Sequence, residues 1–296
     1  MDFAINFSHI AARLFDEGRI QVDRFKCPAW PEIINEVRSR YTFYVHCPLR
    51  VGMGTGDAKD TETGRPADWN KYTRFLEESA APWVSLHMGP GPRDFPDVPT
   101  GSLAREHVTR VRDALLRDVA AVVKRFGPER VVVENLFGWN GHNLHACLLP
   151  DVIQTIIRET GCGFLLDLSH ARMAARDLGM DEATYIGELP FDRIREMHIT
   201  GLQCFGEPWL SRARQAGLSE EKIREFAGEG VIDHLPMTAD DWPVYTWAMD
   251  RIHAGDWTTP DIVAFEYGGV GGVFQVVTDE TVLLEQAPRL YREIKR

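Results

Sequence analysis

Short apolar runs separated by amphipathic stretches recur along the chain. Most of the runs are apolar at odd and even positions alike, as strands covered by helices on both faces must be. Eight are expected as strands: FAINF (3–7), IQVDRF (20–25), TFYVHC (42–47), WVSLH (83–87), RVVVEN (130–135), GFLLDL (163–168), IREMHI (194–199) and IVAFEY (262–267). After the fourth, Val108, Val111, Leu115, Val119, Val122 and Phe126 repeat at spacings of three and four until Gly127 and Pro128 end a helix. PEIINEVRSR and PDVIQTIIRET each begin with a proline suited to a first helical turn. Thr238 opens a Thr-Ala-Asp-Asp run that reads as a capping box, for a helix that buries Trp242, Met249 and Ile252. TDETVLLEQAPRLYREIK closes the chain with a kink expected at Pro288. Eight strands alternating with helices predict an α/β fold, a (β/α)8 TIM barrel, as one domain over residues 1–296; no GxGxxG or P-loop follows an early strand to favour a doubly wound sheet. Two connections are long, 48–81 and 200–261, and in such a barrel the loops that follow the strands carry function.

Composition narrows the partners. The 296 residues carry 44% hydrophobic side chains, enough for a large core, and a net charge of −11, which argues against a nucleic-acid or anionic-membrane surface and for small-molecule or peptide partners. Five cysteines without CxxC spacing suit reduced thiols in a cytoplasm. The first residues do not read as a secretion signal, and no apolar run approaches the roughly 20 residues of a membrane span. A soluble cytoplasmic protein is expected.

The chemistry lies where the strands end. His46, His87, Glu134, Asp167 with His170 just beyond, His198 and Glu266 stand at the ends of the third to eighth strands, and Asp233-His234 lies between the last two. The C-terminal ends of parallel barrel strands converge on one mouth, where bare carboxylates would repel one another; bound cations remove that repulsion. Nine such donors exceed what one ion takes, so two or three ions are expected, with Glu134 able to bridge. Glu134, Asp167 and His170 are the expected catalytic residues. Cys47 should point away from His46 by the period of two, and no cysteine suggests an iron–sulfur cluster. No lysine stands at an expected strand end. His107 and His253 fall on helices. His142, His145, Trp139 and Asn140 follow the fifth strand, within reach of a substrate, and HMGPGPRDFP resembles an anion nest without the lysine of a P-loop.

The order His, His, Glu, Asp-x-x-His, His, Asp-His, Glu resembles that of the xylose isomerase-like TIM barrels. Within them, VVVENLFG, GFLLDLSHARMAA and IREMHITG resemble the multinuclear non-heme iron-dependent oxidative enzymes, a family that includes a methanobactin-maturing iron oxidase; the likeness runs from about residue 40 to 270. The resemblance implies that His46, His87, Glu134, Asp167, His170, His198, Asp233, His234 and Glu266 hold two or three iron ions, and that dioxygen is a co-substrate. It further implies oxidation of cysteine residues in a ribosomally made precursor peptide, often presented by a partner protein. Two features depart from the family: Asp233 and His234 are adjacent where one residue commonly intervenes, and Glu266-Tyr267-Gly268 lacks an acid two residues after the last glutamate. The alternatives are a divalent-metal sugar isomerase or epimerase, which usually needs a lysine or second glutamate for proton transfer, and an endonuclease IV-like phosphodiester hydrolase.

Overall fold

The computed structural model describes residues 1–80, 83–227 and 230–296. Its strands are β1 (Asp2–Asn6), β2 (Arg24–Pro28), β3 (Phe43–His46), β4 (Leu49–Val51), β5 (Lys59–Asp60), β6 (Val84–Met88), β7 (Val131–Glu134), β8 (Gly163–Asp167), β9 (Ile194–Ile199), β10 (Gly201–Cys204), β11 (Val231–Leu235) and β12 (Ile262–Phe265). Its α-helices are α1 (His9–Asp16), α2 (Pro31–Val37), α3 (Trp69–Glu78), α4 (Arg105–Phe126), α5 (Pro150–Thr160), α6 (Leu168–Leu178), α7 (Glu182–Gly187), α8 (Trp209–Gln215), α9 (Glu220–Ala227), α10 (Asp241–His253), α11 (Gly272–Val277) and α12 (Glu280–Ile294).

Each expected strand has a counterpart, and the second is displaced. It spans Arg24–Pro28 rather than 20–25. Asp23 ends the approach to it, accepting the Phe3 N–H on its carboxylate at 2.6 Å and donating its own N–H to the Phe3 carbonyl at 2.9 Å. Arg24 and Lys26 hide the strand from a hydrophobicity count.

The chain divides into two compact units, Met1–Lys26 with His198–Arg296, and Cys27–Met197. In the first, β1 runs parallel to β12, pairing Asp2 with Ile262 and Ile5 with Phe265, and parallel to β2, pairing Asn6 with Lys26. The expected long connection 200–261 here holds β10, α8, α9, β11 and α10, with positions 228–229 outside the described residues. β10 and β11 pair antiparallel and share a core of Phe205, Trp209, Ala213, Ile223, Ile232, Leu235, Val273 and Val277. At α10 the reaching-back half of the expected box is present, Asp241 accepting from both the N–H and the hydroxyl of Thr238 at 2.7 Å, while Trp242 is only half-buried, under the Arg289 guanidinium.

In the second unit β4, β6, β7 and β8 run parallel, with His87 level with Glu134 and Arg50 level with His87, and β5 pairs antiparallel with β4. The connection 48–81 holds β4, β5 and α3, with position 81 outside the described residues. α4 packs Val111, Leu115, Val119 and Val122 inward and ends at Gly127, whose φ of 88° favours glycine. The same helix buries Asp118, whose carboxylate accepts the N–H groups of Gly52, Gly54 and Gly56 at 2.7–2.9 Å and so fixes the turn after β4. Among the described residues no helix is long and apolar enough to cross a membrane.

Candidate metal centre

In the second unit the register of β6 and β7 sets His87 beside Glu134. His46 Nε2 lies 3.1 Å from His87 Nε2 and 3.5 Å from Glu134 Oε2, and His87 Nε2 lies 3.3 Å from the same oxygen. Donors bound at about 2.0–2.2 Å to a single ion stand about 3.0 Å apart at right angles and about 3.4 Å apart at the tetrahedral angle. The three atoms are therefore spaced as ligands of one ion, and two imidazoles with a carboxylate suit a borderline divalent metal. His87 Nδ1 lies 3.1 Å from the Leu49 carbonyl, the kind of backbone partner that holds the proton on Nδ1 and presents Nε2 to a metal.

The other Glu134 oxygen faces a different histidine. Oε1 lies 3.2 Å from His170 Nδ1, so the carboxylate, 1% exposed, has an imidazole beside each of its oxygens. Asp167 ends β8 and caps α6: its Oδ1 accepts the His170 N–H at 2.7 Å, while Oδ2 lies 3.6 Å from His170 Nδ1. The Asp-x-x-His spacing is thus a helix cap and a donor pair at once, because the residue three beyond an N-cap is the one whose N–H the cap accepts. A donor oxygen of Glu134 and one of Asp167 also lie within 4.8 Å of each other.

Asn135 is the residue that sequence reasoning missed here. Fully buried, it accepts the Asp167 N–H at 2.9 Å and donates to the Asp167 carbonyl at 2.8 Å, while its own carbonyl sits 3.0 Å from His170 Nδ1. A polar residue at the end of an apolar strand was its only signal. Glu196, also fully buried, is structural: it accepts from the Tyr44 hydroxyl at 2.7 Å and the Trp83 indole at 2.9 Å.

In the first unit Glu266, just past β12, is the hub. Its Oε1 lies 3.1 Å from His198 Nδ1 and accepts from the Lys26 ammonium, and its Oε2 lies 3.9 Å from His234 Nε2. Burial pushes the Glu266 carboxyl up, but His198, Lys26 and His234 outweigh it and hold the group well below the usual carboxylate range. The expectation that no lysine stands at a strand end overlooks Lys26, which reaches Glu266 from the middle of β2. It is level with Asn6, the last residue of β1, and buried; it lay just outside the strand drawn at 20–25.

Adjacency does not separate Asp233 from His234. Their side chains should face opposite ways on a regular strand. Here β10 pairs Gly201 with Leu235 but Gln203 with Ile232, so Asp233 and His234 together oppose Leu202 in a β-bulge. His234 takes a φ of 59°, and its Nε2 comes to 3.9 Å from Asp233 Oδ2. The Gly268 N–H donates to the His234 carbonyl at 3.1 Å, and Asn6 Nδ2 lies 3.5 Å from the ring and donates to the Gly268 carbonyl at 2.9 Å.

The remaining sequence candidates fall outside these groups. Cys47 is buried beside Ser85, whose hydroxyl accepts its N–H at 2.8 Å, and burial pushes its thiol up to about 12. His107 bonds Ser102 at 2.7 Å. In the glycine-rich loop after β6 the Gly91 N–H is taken by Asp94 at 2.9 Å, itself paired with Arg50 at 3.0 Å, so the nest is filled from within. Trp139 and Asn140 both adopt positive φ, 43° and 49°, with Trp139 exposed and its ring 6.4 Å from that of Phe137, which lies 5.1 Å from His170.

A model of the family described as RiPP precursor modification enzyme MbnB/TglH/ChrH matches residues 25–215, the span holding His46, His87, Glu134, Asp167, His170 and His198. A UPF0276 protein of Caulobacter vibrioides (strain NA1000 / CB15N) is 27% identical over 180 residues, 57% of this chain and 57% of its own. One from Paraburkholderia phytofirmans is 26% identical over 170 residues, 56% of this chain and 51% of its own. The chain thus spans little more than half the length of these curated relatives. A xylose isomerase domain-containing protein of Salmonella typhimurium LT2 superposes with a TM-score of 0.54 at 16% identity, covering 100% of this chain and 97% of that one. The fold is the xylose isomerase-like α/β (β/α)8 barrel.

Proposed function

The chain belongs to the RiPP precursor modification enzyme MbnB/TglH/ChrH family, and on that premise we propose that it is a multinuclear non-heme iron, dioxygen-dependent oxidase of cysteine residues in a ribosomally synthesised precursor peptide. The observation that carries the reading is the convergence of His46, His87 and Glu134 at ligand spacing. In the proposal residues 1–296 act as one barrel domain in the cytoplasm, and a partner protein presents the peptide. Nucleic acid and membrane have no part in it.

Nine residues would hold two or three iron ions: His46, His87, Glu134, Asp167, His170, His198, Asp233, His234 and Glu266. Bound iron would supply the one-electron steps and the reduction of dioxygen. The chain's own work is placement. Glu134 turns one oxygen to His46 and His87 and the other to His170, which lets it span two ions. Asn135 fixes the backbone of Asp167, and Phe137 covers one side of the His170 ring against water. Trp139, exposed beyond Phe137, offers the incoming peptide an apolar surface.

One observation favours a second reading. A sugar isomerase or epimerase with a divalent metal needs a proton-transfer group, and the buried Lys26 beside Glu266 is of the right kind. Elemental analysis and Mössbauer spectroscopy of protein purified without oxygen, followed by oxygen uptake with a cysteine-containing precursor peptide, separate the two. The oxidase predicts bound iron and peptide-dependent uptake. Absence of iron even after anaerobic reconstitution overturns it, and manganese-dependent sugar turnover without oxygen uptake would establish the isomerase instead.

A further inference from the structure

Lys26 is 7% exposed, and its ammonium ends on Glu266 Oε1, the oxygen that also lies 3.1 Å from His198 Nδ1. The opposite oxygen looks toward His234, beside which Asp233 lies at 3.9 Å. The group around Glu266 therefore carries a covalently attached cation among its donors. We propose that Lys26 stands in for a metal ion and limits the protein to two ions per chain. This rests on the metal-centre reading and goes beyond it.

Two physical arguments lead there. The first is charge. Glu266 and Asp233 contribute two negative charges and Lys26 one positive, and a dication brought close to a buried ammonium meets a repulsion that the surrounding protein screens far less than water does. The second is valence. A carboxylate oxygen that accepts from an ammonium and faces an imidazole nitrogen is already engaged, so Glu266 has Oε2 alone to offer. A neutral residue at position 26 leaves the same histidines and acids in place, raises the local negative charge by one and returns Oε1 to the donor set. The ammonium thus does for Glu266 what an ion does for Glu134.

The sign of the effect separates this from a structural role. Loss of a merely structural buried ion pair lowers stability and leaves the number of bound ions unchanged or smaller. If Lys26 stands in for an ion, its loss adds one. The test is anaerobic equilibrium dialysis of the full chain against ferrous iron alone, with the bound metal counted by elemental analysis. Wild type is expected to saturate at two ions per chain and Lys26→Met at three. Lys26→Gln, which keeps a polar group without the charge, is expected at three as a second neutral variant, and Lys26→Arg at two. Wild type holding three ions, or both neutral variants holding the same number as wild type, overturns the inference while leaving the metal centre intact. No iron bound by any of the four proteins overturns the metal-centre reading itself.

Discussion

Glu134 and Glu266 are the same residue type, both buried, both at strand ends, both facing imidazoles, and they sit in opposite electrostatic settings. Glu134 has His46 and His87 on one oxygen and His170 on the other. Glu266 has His198 and Lys26 on one oxygen and His234 farther off on the second. The first arrangement calls for a cation and the second already contains one. A count of His, Asp and Glu at strand ends treats the two sites as equivalent, whereas the charge Lys26 brings from β2, on the far side of β1 from β12, sets the second apart.

The largest effect should come from breaking the Glu134 side. Glu134→Gln keeps the shape and removes the charge shared by two groups of histidines. Ferrous iron affinity should fall by more than the roughly 10–100-fold that loss of a ligand-orienting partner costs, with at least one ion lost per chain. Elemental analysis after dialysis reads this out, and unchanged iron content would abolish the contrast between the two glutamates.

Asn135→Ala should come next. It leaves every donor in place but releases the Asp167 backbone, so affinity should fall by roughly 10–100-fold. The buried N–H and carbonyl left without the amide should cost about 1–3 kcal/mol each, visible as a lower urea midpoint in metal-free protein. A variant that loses stability but keeps its affinity would show that Asn135 holds the fold and does not orient the site.

The smallest effects belong to the bulge. Asn tolerates positive φ better than most residues, so His234→Asn should change stability by less than about 1 kcal/mol. In a Lys26→Met background it should weaken binding of the added ion beside Glu266 while leaving the one at His46, His87 and Glu134 unaltered in a stepwise ferrous titration. Asp233→Asn should act in the same step. If only one of the two substitutions moves that step, the other residue is not a ligand.

The barrel was legible because its signals are periodic and redundant. Val131 to Val133 and Phe164 to Leu166 are unbroken apolar runs, and α4 repeats apolar positions from Val108 to Phe126 at spacings of three and four. β2 starts later than its sequence pattern suggests because Arg24 and Lys26 carry charge that only a partner elsewhere in the chain justifies. The donors could be picked out because His, Asp and Glu are rare at the end of a greasy strand. Asn135 and Lys26 could not, since their meaning lies in the Asp167 backbone 32 residues away and in Glu266, 240 residues away.

The bulge at Asp233 and His234 bears on how relatives of this chain are recognised. A search pattern that insists on one intervening residue between the acid and the histidine would discard any chain that reaches the same pairing by adjacency. The compensating mark is carried by the facing strand: a side chain on Gly201 would put its Cβ 1.8 Å from the Pro236 carbonyl oxygen. Glycine at that position, some 30 residues before an adjacent Asp-His, is the wording such a pattern needs.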